Sequence, residues 1–199
     1  TEMDRGVGAI VTALKDAEIA DRTLVLFFSD NGANRNGRNG PLRGFKGSVW
    51  EGGHRVPAIA WWPGTISPGR KTSTLVTTLD VMPTLIELAG GRLPDGHRLD
   101  GVSLVNVLTG NEMNVRKPGR RTLFWAFGQR AAVRRGDWKL VVGHLPAEGV
   151  GLYNLKGDLG ERTNLAASEP ERVKALQAAL SAWRIDVARG ATRQKAQAK

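Results

Sequence analysis

The 199-residue sequence contains no cysteine. Disulfides, thiolate metal centres and a cysteine nucleophile are therefore excluded within it, while the redox compartment stays open. No stretch approaches the ~18 consecutive apolar residues of a membrane-spanning helix. The three histidines, His54, His97 and His144, are scattered without the spacing of a metal-ligand set. Acidic residues are few beside basic ones, 19 Asp and Glu against 29 Lys and Arg, for a net charge of +10. That imbalance favours anionic partners without choosing among nucleic acid, sulfated sugar and a basic surface with no function. No helix-turn-helix, zinc finger or aromatic RNA-binding signature is present, so nucleic acid is not the expected partner. There is no internal repeat. The chain opens at Thr1 inside a helical pattern with no charged leader. This raises the expectation of a segment cut from something longer, with any signal peptide lying before residue 1.

What is present suits a globular protein rather than a disordered chain: 41% hydrophobic and 24% charged residues. Glycine is abundant, with 25 residues. Val7, Ile10, Val11, Leu14 and Ala17 recur at helical spacing, with Asp4 as N-cap. Gly6 and Gly8 weaken that helix, and tight packing would explain them. The continuous apolar run 23–28 predicts a strand buried on both faces, as in parallel sheets under helices. A second strand is expected over 57–62, ended by Pro63-Gly64. Between them lies a long loop, 32–53, rich in Gly, Asn and Arg. Such loops are uncommon and often functional. Helices are expected over 80–89 and 103–108, and a polar linker over 111–120. Beyond it, short strand candidates at 122–127, 131–134, 138–142 and 151–153 read as an antiparallel meander. Val173, Leu176, Leu180, Trp183 and Val187 then form one apolar helical stripe.

Asp30-Asn31 stands at the end of the first strand, where sites form in open α/β sheets. A carboxylate beside an amide offers two hard oxygen ligands suited to Ca²⁺ or Mg²⁺. Asp-Asn-Gly is equally a common turn string, and spacing alone leaves both readings open. In the string 40–57, glycines let backbone come close to a ligand. Arg43 and Lys46 add positive charge, and lysine is a compact point charge suited to a tetrahedral oxyanion. Glu51 and Arg55 are expected to hold the loop through an ion pair or backbone bonds. His54 reads as a loop residue, and Trp50 as a surface on which a sugar or aryl ring could stack.

Ser29-Asp30-Asn31-Gly32, Gly40-Pro-Leu-Arg-Gly-Phe-Lys46-Gly-Ser, Glu51-Gly-Gly and Arg55-Val-Pro together resemble the second half of a type I sulfatase of the arylsulfatase kind. The resemblance continues in order through Trp62-Pro-Gly64, Asp80-Val-Met-Pro-Thr-Leu, Leu99-Asp-Gly-Val-Ser-Leu104, Val133-Arg-Arg-Gly-Asp-Trp-Lys139, Leu152-Tyr-Asn and Thr163-Asn-Leu-Ala166. It implies an α/β fold, part of an alkaline-phosphatase-like sheet with flanking helices. A small α+β subdomain, an antiparallel sheet with one helix, would follow. The boundaries expected are 1–117, 118–187 and a basic, disordered tail 188–199. The resemblance also implies hydrolysis of aryl or glycan sulfate esters. One Ca²⁺ ion would be bound by Asp30 and Asn31, and Lys46 would bind the sulfate as a catalytic residue. The remaining ligands and a formylglycine nucleophile would come from an N-terminal half of the same domain, and the chain alone would be inactive. Members of that family are often periplasmic, secreted or lysosomal, which leaves the localisation of this chain open. The alternatives are a non-catalytic anion- or sulfated-glycan-binding module and a phosphatase or phosphodiesterase of the same superfold.

Ser168-Glu-Pro-Glu-Arg172 matches the family's nucleophile pattern, Cys/Ser-x-Pro-x-Arg, by letter. It follows the metal pair instead of preceding it. Its Ser-x-x-Glu spacing reads instead as a capping box opening the last helix.

Overall fold

The structure is a computed structural model that describes residues 2–110, 121–143 and 149–197, with side chains described as far as residue 189. The expected linker 111–120 and His144 lie outside the described residues. The chain divides into two compact units, one made of residues 1–28 and 57–118, the other of 29–56 and 119–199. The glycine-rich loop, which the sequence boundaries attach to the segment ending at 117, thus clusters with the C-terminal sheet.

In the first unit, helix α1 (Glu2–Asp16) carries Glu2 and Asp4 in its first turn and Lys15 in its last, matching the helix dipole. None of its residues is buried. No atom lies within 4 Å of where a Cβ would stand on Gly6 or Gly8, so tight packing does not account for these glycines. Strand β1 (Val25–Phe28) pairs antiparallel with β2 (Ala58–Trp61), Val25 facing Trp61 and Phe28 facing Ala58. The expectation of a strand buried on both faces is corrected here. These two strands form a sheet of their own, β1 is only half-buried, and Ile59 is 61% exposed. A two-stranded ribbon buries its side chains only where another element packs on its faces, and here that cover is partial.

Helix α2 (Glu51–His54) belongs to the second unit. Helix α3 (Val81–Leu88) follows a short 3-10 turn, Thr78–Asp80. Asp80 is fully buried, and its carboxylate accepts the backbone N–H of Thr77 and that of Val102. The Thr84 hydroxyl donates to the Asp80 carbonyl and accepts the Leu104 N–H. Two sequence blocks, 80–85 and 99–104, are therefore bound to each other through buried polar groups with partners. Helix α4 (Val105–Thr109) ends at Gly110 with φ 89°, and Arg70 caps its last carbonyls at Leu108 and Val107.

The second unit holds a four-stranded antiparallel meander: β3 (Thr122–Phe127), β4 (Arg130–Arg135), β5 (Trp138–Val142) and β6 (Val150–Asn154). Alternation sends successive side chains to opposite faces. Ala131, Val133, Leu140 and Leu152 meet Leu176 and Leu180 of helix α5 (Pro170–Gln197). Ala132, Val141 and Tyr153 meet Val49 and Trp50 of the glycine-rich loop on the other face. Asn164 accepts the Leu152 N–H, and Leu165 N–H donates to the Leu152 carbonyl, so the segment after the sheet covers the β6 edge.

Helix α5 runs to Gln197 and so includes residues of the stretch 188–199. One expectation is corrected at its start. The capping box does not form. The Ser168 hydroxyl donates to the Leu165 carbonyl, and Pro170 takes the first helical position.

Candidate functional site

Asp30 follows β1 by two residues and is exposed; Asn31 is half-buried. The Ser29 hydroxyl donates to the Asn31 carbonyl, closing the turn. Gly32 N–H then donates to the Gly53 carbonyl. A Cβ on Gly32 would overlap the Gly52 carbonyl, one on Gly52 the carbonyls of Arg43 and Gly44, and one on Gly53 the Ser48 carbonyl. The Asp-Asn-Gly turn, the 43–48 loop and Gly52-Gly53 thus touch backbone to backbone, a contact open only to glycine.

Lys46 is bound to the same assembly, its N–H donating to the Ala33 carbonyl at 3.0 Å. Its side chain is exposed, and neither its ammonium nor the Asp30 carboxylate engages another side chain among the described residues. Asn39 staples the loop by accepting the Ala33 N–H and donating to the Gly44 carbonyl. The three predicted site residues are therefore carried by one stretch of mutually bonded backbone.

That backbone is anchored by a buried ion cluster. Helix α2 (Glu51–His54) is a single turn containing two glycines, which have little helical tendency of their own. Glu51 is 1% exposed and accepts hydrogen bonds from Lys139 at 3.0 Å and Arg134 at 3.0 Å. Arg55, as expected, also reaches it, at 3.3 Å. Lys139 is fully buried and bridges Glu51 to Glu161, 2.9 Å away. Glu161 accepts the Glu51 N–H through its carboxylate, and its carbonyl accepts Arg43. Burial works to raise the Glu51 pKa, but the His54 hydrogen bond and the Lys139 and Arg134 charges overcome it and hold the carboxyl well below the usual range. Glu161 is pushed up by burial despite Lys139.

His54 Nε2 donates to the Glu51 carboxylate at 3.2 Å, and the ring stacks on Trp125 at 4.1 Å. Burial lowers its pKa, with the Glu51 hydrogen bond opposing. Trp50 is 6% exposed, with Arg43 3.8 Å over its ring and Tyr153 packed edge-on. The expected stacking surface for a sugar or aryl ring is therefore corrected: Trp50 is core. Phe45, at 38%, is the exposed ring of this loop. His97 is exposed and bonded to the Asp95 carbonyl.

Lys139, Arg134 and Glu161 escaped the sequence reading. A signal for two of them was available: a two-residue turn at Gly136-Asp137 sets Arg134 directly opposite Lys139 on one sheet face. Among the described residues, no group of three or more His, Asp or Glu is placed to hold a metal. Asp30 and Asn31 offer two hard oxygen donors, of the kind calcium takes and too few to hold it unaided.

A sequence model of the sulfatase family matches residues 1–91. The chain is similar to a sulfatase of Formosa agariphila, 38% identical over 85% of this chain and 35% of the relative. It is similar to human arylsulfatase A, 36% identical over 88% of this chain and 40% of the relative. The crystal structure of Ps i-CgsB in complex with k-i-k-neocarrahexaose superposes with a TM-score of 0.80 and 31% identity, over 90% of this chain and 40% of that one. The chain thus spans well under two thirds of the relatives' length. With these similarities, and with its motifs in family order, the chain belongs to the sulfatase family.

Proposed function

We propose that this chain forms part of a sulfuric ester hydrolase in which Asp30 and Asn31 ligate a calcium ion and Lys46 binds the substrate sulfate. One observation carries the reading: Asp30 and Lys46 expose charges without a side-chain partner among the described residues, from a backbone held together by the Lys46–Ala33 and Gly32–Gly53 bonds. A calcium ion there supplies positive charge against the sulfate oxygens when bound. The Lys46 ammonium orients the sulfate and offsets charge that grows on its oxygens during cleavage. Residues outside the described ones complete the calcium shell, which takes about 6–8 oxygens.

The formylglycine nucleophile is likewise supplied from outside this chain. The chain holds no cysteine, and Ser168 spends its hydroxyl on the Leu165 carbonyl. Alone, the chain is inactive. The substrate is an aryl or glycan sulfate ester, as the names of arylsulfatase A and the neocarrahexaose complex suggest. The net charge of +10 supports a second reading, a non-catalytic module that binds sulfated glycans. A phosphatase has less support, since such enzymes gather several Asp and His ligands.

The test compares 4-nitrophenyl sulfate and 4-nitrophenyl phosphate, with calcium. Each is offered to this chain alone and to a polypeptide that also carries a sulfatase N-terminal half. Turnover of sulfate only by the longer polypeptide supports the reading. Turnover by the chain alone, preference for phosphate, or sulfate binding without turnover in both would overturn it.

A further inference from the structure

Between Asp30 and Glu51 the chain carries four cations and no acidic residue: Arg35, Arg38, Arg43 and Lys46. Arg43 is committed to the Trp50 ring and the Glu161 carbonyl. Arg35, Arg38 and Lys46 are exposed, and their side chains engage no partner among the described residues. Three unneutralised cations on one short segment repel each other, a repulsion that an anion bound among them would relieve.

The segment is also held in shape. Gly37 N–H donates to the Asn34 carbonyl, and the Asn34 side chain accepts the Asn36 N–H. This fixes a turn with Arg35 inside it and Arg38 directly after it. Asn39, the next residue, ties Ala33 to Gly44, and Ala33 accepts the Lys46 N–H. The loop that presents the two arginines therefore shares its hydrogen bonds with the one that presents Lys46. The backbone is thus ordered before binding, and the side-chain rotamers are what binding must still fix.

We infer that Arg35 and Arg38 form a subsite for further anionic groups of the substrate, beyond the sulfate at Lys46. The ligand class is a multiply sulfated saccharide. Guanidinium forks suit the paired oxygens of sulfate or carboxylate. The interleaved Asn34 and Asn36 supply neutral amides for sugar hydroxyls. The loop carries a single exposed ring, Phe45, too few for the successive base stacking of a single-stranded nucleic acid. This assignment rests on the sulfate site proposed at Lys46 and adds the reason for its specificity.

Binding tests it without turnover. Calorimetry with this chain would use a trisulfated heparin-type disaccharide, a monosulfated aryl ester and a 20-nucleotide DNA, at two salt concentrations. Arg35→Ala/Arg38→Ala should weaken the disaccharide about tenfold or more and reduce its salt dependence, while changing the monosulfate less than twofold. Arg184→Ala/Arg189→Ala, on the exposed face of α5, should change neither. Equal loss from the α5 pair, no loss from the loop pair, or equal dependence of DNA on the loop pair would overturn the subsite. Lys46→Ala should weaken both sulfated ligands. If it weakens neither while the loop pair still matters, the reading at Lys46 fails and the arginine site stands.

Discussion

The Lys139 ammonium lies between two carboxylates, 3.0 Å from Glu51 and 2.9 Å from Glu161, with none of the three side chains more than 1% exposed. The sheet thereby grips the turn that carries Gly52 and Gly53. Through those glycines it also holds the Asp30–Asn31–Gly32 turn.

Removing one partner of a buried ion pair leaves an uncompensated charge. Lys139→Met should lower unfolding free energy by about 3–5 kcal/mol in urea titration. Lys46→Ala, which removes an exposed and unpartnered charge, should stay within about 0.5 kcal/mol. Equal effects of the two would show that the cluster does not anchor the loop.

The glycines divide sharply. Gly52→Ala forces a methyl into the carbonyls of Arg43 and Gly44 and should destabilise by about 1–3 kcal/mol. Gly8→Ala meets open space in α1 and should stabilise by about 0.5–1 kcal/mol. Thermal midpoints of the two variants should move in opposite directions.

His54 makes stability depend on pH. Burial lowers its pKa from 6.5, so the folded chain takes up the proton less readily than the unfolded one. Its contribution is complete above about 6.5 and is lost as pH falls through the folded value. Stability should therefore drop on acidification below that point. His54→Gln should flatten that part of the profile, and an unchanged slope in the variant would assign the drop elsewhere.

Ser168→Ala separates a cap from a surface serine. Loss of an N-cap costs about 1 kcal/mol. With its hydroxyl on the Leu165 carbonyl and its residue exposed, Ser168 should contribute less than about 0.5 kcal/mol by denaturant titration.

The meander and the stripe of α5 were legible because alternation and helical spacing are local patterns, visible over 122–154 and 173–187. The resemblance identified the loop that carries Asp30, Asn31 and Lys46. The anchor of that loop was not legible, since Glu51 meets Lys139 across 88 residues and Glu161 across 110. Trp50 looked available because glycines surround it in sequence; Arg43 and Tyr153 enclose it in space. The apolar run 23–28 has the composition of a fully buried strand, but burial depends on neighbours that a local run does not specify. Helix α2 was invisible because Gly52-Gly53 argues against helix until the Glu51 anchor is known.

Under the proposed function, Lys46 and Asp30 act on a sulfate ester from a scaffold they do not stabilise. The most direct test is kcat/KM for 4-nitrophenyl sulfate, with calcium, in the polypeptide that carries both sulfatase halves. It should be measured beside the unfolding midpoint for Lys46→Ala and Asp30→Ala. A fall of about a hundredfold or more is expected in each variant, with the midpoint unchanged. Retained activity, or a loss that tracks unfolding, would contradict it.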